Sequence, residues 1–303
     1  MPRGPIVITG ATGFVGAHLT RRLQDNARTP EIHGWSSASV NLLDRAAVDA
    51  AVARARPAEL YHLAGASHVG ESWQRSTHHL EIHVLGTHNL LEAIRRHAPD
   101  CRVVIVSSGM VYRPQAELLT EESPIGPSNP YALSKVAEEQ LARQAAAQDG
   151  LQIVIARPFN HIGPGQSPRF ALPNFAKQIA EIEAGAPPSI SIGNLDSRRD
   201  FTDVRDVVDA YAAMMADGTA GQVYNVCSSV ATPIRAILDR LLGMSRVAVT
   251  LTTDAARLRP NDLPSMAGSA ARLSADTGWT PKIPLQQTLA DTLDEWRARI
   301  ARA

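Results

Sequence analysis

The first half of the chain alternates between two patterns of hydrophobic and polar positions. Short, nearly continuous apolar runs such as "PIVITG", "ELYHLAG", "RVVIVSS" and "LQIVIARP", with "EIHGW" as a further candidate, are typical of buried strands. The segments between them, such as "FVGAHLTRRLQ" and "DRAAVDAAVARA", repeat apolar residues at helical spacing. Strands that alternate with helices predict βαβ units and a parallel sheet.

After about Pro158 this regularity fades, and loops rich in glycine and proline interrupt the pattern. We predict a regular α/β core over residues 1–158, rejoined by part of the later chain, and a smaller α/β lobe mainly over residues 159–303. The predicted elements of the second part are helices at Leu172–Ala184, Val204–Ala216, Pro233–Leu242 and Leu285–Ile300, and strands at Gln222–Cys227 and Val247–Leu251.

Composition and charge narrow the classes of protein. The 303 residues carry 30 Lys+Arg and 30 Asp+Glu, and this balance argues against a nucleic-acid or membrane surface built on bulk charge. Cys101 and Cys227 are too few for a disulfide framework or a four-cysteine zinc site, and we expect both in the core. The N-terminus lacks the apolar core of a signal peptide and no long apolar stretch occurs, so we expect a cytoplasmic protein.

A glycine-rich turn stands between the first strand and the first helix. "VITGATGFVG" places Gly10, Gly13 and Gly16 there, in a relative of the dinucleotide fingerprint. Such a turn brings backbone N–H groups and a helix N-terminus close to a pyrophosphate. Glycines also mark ordinary turns, but the strand–loop–helix context favours a dinucleotide site.

The region after the second strand bears on the choice of cofactor. NAD-binding folds usually place an Asp or Glu there to bind the ribose 2′-OH, whereas this chain has Ser36 and Ser37. The missing carboxylate removes repulsion against a 2′-phosphate and favours NADP(H). No Arg or Lys accompanies the serines, so NAD(H) stays possible.

The stretch "NPYALSKVAEEQLARQ" predicts a helix and also carries candidate chemistry. Asn129 would cap it and Pro130 suits its first turn, while Tyr131 and Lys135 share one face. A lysine ammonium favours a phenolate, so the pair suits acid/base chemistry at a C–OH or C=O carbon. A half-buried tyrosine beside a solvated lysine is the alternative interpretation.

Two serines strengthen the functional interpretation. Ser107 and Ser108 end the fourth predicted strand, and strand C-termini are where open α/β sheets bind ligands. A serine hydroxyl there could bond the substrate oxygen that gains or loses the proton. The order of glycine loop, serine strand and Tyr–Lys helix is the one that a hydride-transfer site requires.

The chain resembles a known family through "GATGFVG", "HLAG", "SSGMVY", "YALSK", "RPFNHIGPGQ" and "RDFTDVRDVV" in that order. These motifs are similar to those of the extended short-chain dehydrogenases/reductases that act on nucleotide sugars. The resemblance implies a Rossmann-like doubly wound parallel sheet, a C-terminal lobe for a nucleoside-diphosphate sugar, and Ser108, Tyr131 and Lys135 as catalytic residues. It also implies a homodimer packed through two long helices, here Thr77–Ala98 and Pro130–Gln148.

The resemblance leaves several reactions open. Related dehydratases carry acidic residues after the catalytic serine or threonine, whereas Gly109 and Met110 here cannot transfer a proton. "RPFNHIGPGQ", "VYNVCS" and "DTGWTP" look most like the reductases of GDP-4-keto-6-deoxy-mannose. We therefore expect NADPH-dependent reduction of the C4 ketone of a nucleoside-diphosphate 4-keto-6-deoxy-hexose, GDP-linked and giving a GDP-rhamnose-type product, with Tyr131 as proton donor. An NAD-dependent nucleotide-sugar 4-epimerase is the alternative.

Matching the motifs residue by residue gives the expected ligand contacts. The expected cofactor contacts are Gly10, Thr12, Gly13, Phe14, Val15, Gly16, Ser36, Asn41, Leu42, Leu63, Ala64, Gly65, Ser107, Tyr131, Lys135 and Pro158. The expected substrate contacts are Ser67, Glu71, Asn160, Lys177, Arg199, Arg259 and Asp262. For the charged members a surface ion pair is the alternative. We expect no metal site, because His68, His78, His79 and His83 lack a supporting ligand pattern.

Two positions depart from the family pattern. His83 stands where relatives carry an Asn that organises the proton-relay site, and a pKa near its ordinary value of about 6.5 would add pH sensitivity. Arg113 replaces a glycine after "VY", with no evident consequence.

Overall fold

The computed structural model describes residues 4–25, 30–115, 117–254 and 265–302, so Arg259 and Asp262 lie outside the described residues. The strands are β1 Ile6–Thr9, β2 Ile32–Trp35, β3 Glu59–His62, β4 Arg102–Val106, β5 Gln152–Pro158, β6 Asn160–Ile162, β7 Ser189–Ile192, β8 Arg198–Asp203, β9 Val223–Val226, β10 Ala231–Pro233, β11 Thr250–Thr253 and β12 Ser265–Met266. The α-helices are α1 Phe14–Gln24, α2 Arg45–Ala55, α3 Ser76–Leu80, α4 Thr87–His97, α5 Pro130–Asp149, α6 Ala171–Glu183, α7 Val204–Asp217, α8 Ile234–Gly243, α9 Ala271–Thr277 and α10 Leu285–Ile300.

The main sheet has six parallel strands in the order β2-β1-β3-β4-β5-β9. Helices α1 and α7 cover one face, and α2, α4 and α5 cover the other. Ile6 and Ile8 pack into the first layer while Val7 packs into the second, which is why the strand reads as continuously apolar. The predicted doubly wound, Rossmann-like α/β fold is confirmed.

The C-terminal lobe has small sheets and an apolar cluster of its own. Strands β10, β8 and β12 form one sheet, to which β6 adds by pairing with β8, and β11 pairs with β7. Helices α6, α8 and α10 bury their apolar faces together over these strands. Because α7, β9 and α9 belong to the first core, several segments after Pro158 return to it. The domain boundary itself stays a prediction.

The predicted element bounds differ from the structure mainly in two places. The helix expected over Thr77–Ala98 is split into α3, a π-helical segment at Glu81–Gly86, and α4. The strand expected at Val247–Leu251 lies at β11 instead, overlapping only at its end.

Sequence reasoning missed β8 because its residues are polar rather than alternating. Its buried Asp200 is satisfied by the backbone N–H and hydroxyl of Ser228, at 2.7 and 2.6 Å. The strand is therefore held by polar contacts that no hydrophobic pattern records. No helix among the described residues is both long and apolar enough to cross a membrane.

Candidate functional site

The conformation and close packing of the glycine loop leave no room for a side chain at two of its glycines. Gly10 has φ +69°, and a Cβ on Gly16 would lie 2.2 Å from the Gly10 carbonyl oxygen. Gly13 precedes α1, donates its N–H to Gly10 at 3.0 Å, and offers no side-chain cap. The first turn of α1 therefore keeps open N–H groups, which fits the pyrophosphate of a dinucleotide.

The other expected cofactor contacts lie at the carboxyl ends of neighbouring strands of the main sheet. Ser36 follows β2 and Pro158 ends β5, while Leu63 to Gly65 follow β3 and Ser107 follows β4. Thr12, Phe14 and Val15 lie in the glycine loop and the first turn of α1; Asn41 and Leu42 follow in the loop before α2. Since parallel strands end at one edge, the sheet gathers these positions along that edge, where such folds bind dinucleotides.

Helix α5 begins as its sequence predicts and holds Tyr131 and Lys135 in the interior. The Asn129 side chain accepts the N–H of Ala132 at 2.9 Å, and Pro130 opens the first turn. Tyr131 and Lys135 are 9% and 6% exposed. Lys135 is thus a buried ammonium, unlike the solvated lysine of the alternative interpretation.

The two serines at the end of β4 have different surroundings. Ser107 donates its hydroxyl to Glu139 at 2.5 Å, so it supports the buried framework below the site. Ser108 accepts the N–H of Met110 at 3.1 Å, and its own proton has no acceptor among the described residues. Ser108 can therefore donate to a ligand carbonyl.

Histidines surround the Tyr131 ring. The rings of His79 and His83 meet it edge-on, with centroids 5.9 and 5.8 Å away. Ser134 Oγ donates to the Tyr131 carbonyl at 2.7 Å and lies 2.8 Å from His83 Nδ1, so Nδ1 carries the proton. His83 Nε2 is buried without a partner among the described residues, and a Cβ on Gly65 would lie 2.5 Å from it.

The expected pH sensitivity of His83 is wrong. Burial, with the Lys135 ammonium as the next cause, lowers the pKa of His83 far below its ordinary value. The imidazole therefore stays neutral near neutral pH. The π-helical segment that carries His83 directs this side chain inward, a placement that a regular helix pattern does not predict.

A cavity of about 210 Å³ is lined in part by His79, whose ring packs edge-on against that of Tyr131. The structure places Ser67 and Glu71, two of the predicted substrate contacts, in its wall, and Glu71 forms an ion pair with Arg169 from the loop before α6. The other lining residues are Ala66, His68, Arg75, His78, His79, Ser167, Arg169 and Phe170.

Of the remaining expected substrate contacts, the three within the described residues do not line this cavity. Asn160 is exposed on β6, and Arg199 lies on β8 with a guanidinium bond to the Arg198 carbonyl at 2.8 Å. Lys177 forms an exposed ion pair with Glu181 at 3.3 Å on α6, which is the geometry of its alternative interpretation.

The comparisons with known proteins agree with this geometry. The model of the NAD dependent epimerase/dehydratase family matches residues 6–227. The chain is 37% identical to the GDP-6-deoxy-D-mannose reductase of Pseudomonas aeruginosa, over 97% of this chain and 98% of the relative. The chain belongs to this family. It is an NAD(P)-dependent oxidoreductase of the extended short-chain dehydrogenase/reductase type, as predicted.

Solved structures of the extended short-chain dehydrogenases/reductases superimpose on the whole chain. RMD from Pseudomonas aeruginosa complexed with NADPH gives a TM-score of 0.90 at 35% identity, covering 98% of this chain and 99% of the other. The UDP-glucose 4-epimerase of Thermus thermophilus in complex with NAD gives 0.85 at 27% identity, covering 97% and 99%.

Sequence reasoning missed two buried carboxylates on α5 in this family member. Glu138 and Glu139 come three and four residues after Lys135 in "KVAEEQ", where they read as ordinary helix residues. Glu139 binds Arg157 through two bonds of 2.8 and 2.6 Å, and Glu138 binds Lys135 at 2.6 Å. Their position on the same face as Lys135 was the only signal in the sequence.

Proposed function

We propose that the chain reduces the C4 ketone of a nucleoside-diphosphate 4-keto-6-deoxy-hexose with NADPH. The full-length similarity to GDP-6-deoxy-D-mannose reductase carries the proposal and favours a GDP-linked sugar, with a GDP-rhamnose-type product. Relatives that are UDP-glucose 4-epimerases are more distant, at 26% identity in Bacillus subtilis.

The residues at the site fit this reaction. Ser108 would donate its free hydroxyl proton to the substrate carbonyl, and Tyr131 would transfer a proton to that oxygen as the alcohol forms. The buried Lys135 ammonium would stabilise the phenolate that remains. Bound NADPH supplies the hydride that C4 gains. Gly109 and Met110 have no group for the proton transfers of a dehydration.

An assay against a panel of nucleotide sugars tests the reaction. We expect NADPH absorbance to fall with GDP-4-keto-6-deoxy-mannose, and to stay constant with UDP-glucose. Interconversion of UDP-glucose and UDP-galactose by protein that retains NAD through dialysis would instead identify an epimerase and overturn the proposal.

The proposed cofactor is NADP(H), held at the carboxyl edge of the main sheet. RMD is complexed with NADPH, and Ser36 offers no negative charge at the end of β2. Ser36→Asp should therefore lower the kcat/KM ratio of NADPH over NADH by about tenfold through charge repulsion. Ser37→Asp, one position on and more exposed, is the matched control. An unchanged ratio in Ser36→Asp would remove Ser36 from the site.

Substrate binding is proposed for the cavity lined by His79, whose ring packs against Tyr131, and for polar residues of the lobe. Ser67 and Glu71 would contact the sugar, while Asn160 and Arg199 would contact the diphosphate. Lys177 would join them only by leaving its exposed ion pair. Arg259 and Asp262 complete the proposed set on motif alone.

We also propose a homodimer that buries the helical faces around the site. Leu80 and Leu85 on the split helix and Leu133 on α5 are 41%, 54% and 52% exposed. Exposed leucines on neighbouring helices are typical of an interface. Leu85→Glu should convert a dimer measured by light scattering into a monomer. Val230→Glu, on an exposed loop of the lobe, should not.

A further inference from the structure

A continuous chain of buried hydrogen bonds connects Lys135 to the cofactor loops. Lys135 Nζ donates to Glu138 Oε2 at 2.6 Å and to the Val106 carbonyl at 2.8 Å. Thr87 Oγ1 donates to the other oxygen of Glu138 at 3.1 Å, and His62 Nε2 lies 2.9 Å from Thr87 Oγ1. Glu138 is thus occupied at both oxygens.

The end of this hydrogen-bond chain at Thr9 determines which atom donates in each of its hydrogen bonds. His62 Nδ1 lies 2.8 Å from Thr9 Oγ1, which accepts the Ala64 N–H at 3.1 Å. Because Thr87 donates to Glu138, His62 Nε2 must carry a proton and His62 Nδ1 must accept from Thr9. Burial lowers the pKa of His62 to about 3, which keeps it in this neutral form. Every donor then has one acceptor if Glu138 is ionised.

Both oxygens of Glu138 accept hydrogen bonds, and no acceptor among the described residues is left for a proton on Glu138, so the geometry makes its carboxylate the charged partner of Lys135. Burial raises the pKa of Glu138, and the adjacent Lys135 ammonium favours the carboxylate. The titratable and charged groups around the pair are His62 on β3, His79 and His83 near Tyr131, and Glu139 on α5. Glu139 is already engaged by Arg157, so Glu138 alone among them contacts the lysine as an anion.

We propose that Glu138 is a positioning residue that holds the Lys135 ammonium in place and offsets its charge at Tyr131. Two of the three N–H groups of Lys135 are taken by Val106 and Glu138, so the third is available to one further acceptor. The offset charge keeps the Tyr131 phenol protonated to higher pH, which is the form that a ketone reduction consumes. Only this last step rests on the proposed function.

The phenol of Tyr131 can be followed without substrate. The ultraviolet titration of the parent protein minus that of Tyr131→Phe isolates its ionisation, since the other tyrosines cancel. Burial raises the pKa of Tyr112 to about 12 and also raises the pKa of Tyr211 and Tyr224, so the ionisation of these tyrosines is displaced to more alkaline pH.

We expect Glu138→Gln to move the Tyr131 ionisation to lower pH by about one unit, because the ammonium is then uncompensated. The alkaline limb of kcat/KM should move with it. Thr87→Val is the matched control: it breaks the same chain one bond further on and keeps the ion pair. Glu138→Met, also neutral, replaces Glu138→Gln if circular dichroism shows that the latter does not fold.

An ionisation that stays in place in the neutral variants, or moves equally in Thr87→Val, would overturn the proposal. Because the titration uses neither cofactor nor substrate, it also separates the two proposals. A shifted phenol in a protein that does not oxidise NADPH would contradict only the proposed function.

Discussion

The two sides of the candidate site are built in different ways. On the cofactor side, Lys135 and Glu139 are almost fully buried, and each is held by ionic hydrogen bonds of 2.8 Å or less. On the substrate side, Asn160 is exposed and Lys177 is held only by a surface ion pair. The residues proposed for the chemistry are thus held in place by the fold, whereas those proposed to contact the substrate would have to be organised by the ligand.

The largest expected effect comes from removing the proposed proton donor, the Tyr131 hydroxyl, on the cofactor side. Tyr131→Phe should lower kcat by about 10²- to 10⁴-fold, because no other proton donor replaces the phenol. NADPH affinity, measured by fluorescence titration, should change little. Tyr211→Phe is the matched control, since the Tyr211 hydroxyl is buried without a partner among the described residues. If activity survives Tyr131→Phe, the proposed mechanism is wrong.

The next effect is on the glycine loop. Gly16→Ala should weaken NADPH binding by at least about tenfold, because its Cβ would lie 2.2 Å from a backbone oxygen and force the loop open. Calorimetric titration measures the loss. Gly243→Ala gains the same methyl group in open space at the end of α8 and should bind normally. Equal affinity in both variants would place the pyrophosphate elsewhere.

The organised side was also the side that the sequence predicted well. The strand–loop–helix order, the cap at Asn129 and the serines after β4 are local patterns, and parallel strands necessarily end at one edge. The buried environments of Glu138 and His83 were not predicted, because they depend on contacts between elements that are distant in sequence. A helix pattern cannot show that a glutamate is enclosed or that one turn is a π turn.

The substrate side was predicted less well for a related reason. The cavity wall joins Glu71 to Arg169 across a long sequence separation, through loops without a hydrophobic period. Polar strands such as β8 were not predicted for the same reason, since they also lack a hydrophobic period. Motif matching named Arg199 there, but no spacing rule relates it to the cavity.

Arg199 offers a smaller effect that tests whether the less organised side binds the diphosphate. Arg199→Ala should weaken GDP binding by about tenfold, the loss of a charge-assisted bond, with kcat less affected than KM. Its neighbour Arg198 points to the opposite face of β8 and is exposed, so Arg198→Ala is the matched control. Calorimetry with GDP in which both variants bind alike would exclude the assigned clamp.

The last prediction concerns His83 on the cofactor side, for which we expect an effect on stability and the smallest effect on the reaction rate. Its pKa is lowered in the fold, whereas the unfolded chain takes up a proton near its ordinary value of 6.5. His83 therefore stabilises the fold above about pH 6.5, and this contribution is lost as pH falls.

From about pH 7.5 to about pH 5.5, the free energy of unfolding should fall by about 1.4 kcal/mol less in His83→Asn than in the parent. Urea denaturation measures this, and the exposed His88→Asn should follow the parent. Parallel curves for His83→Asn and the parent would mean that His83 takes up its proton in the fold at the same pH as in the unfolded chain, and the site would then be pH-sensitive after all.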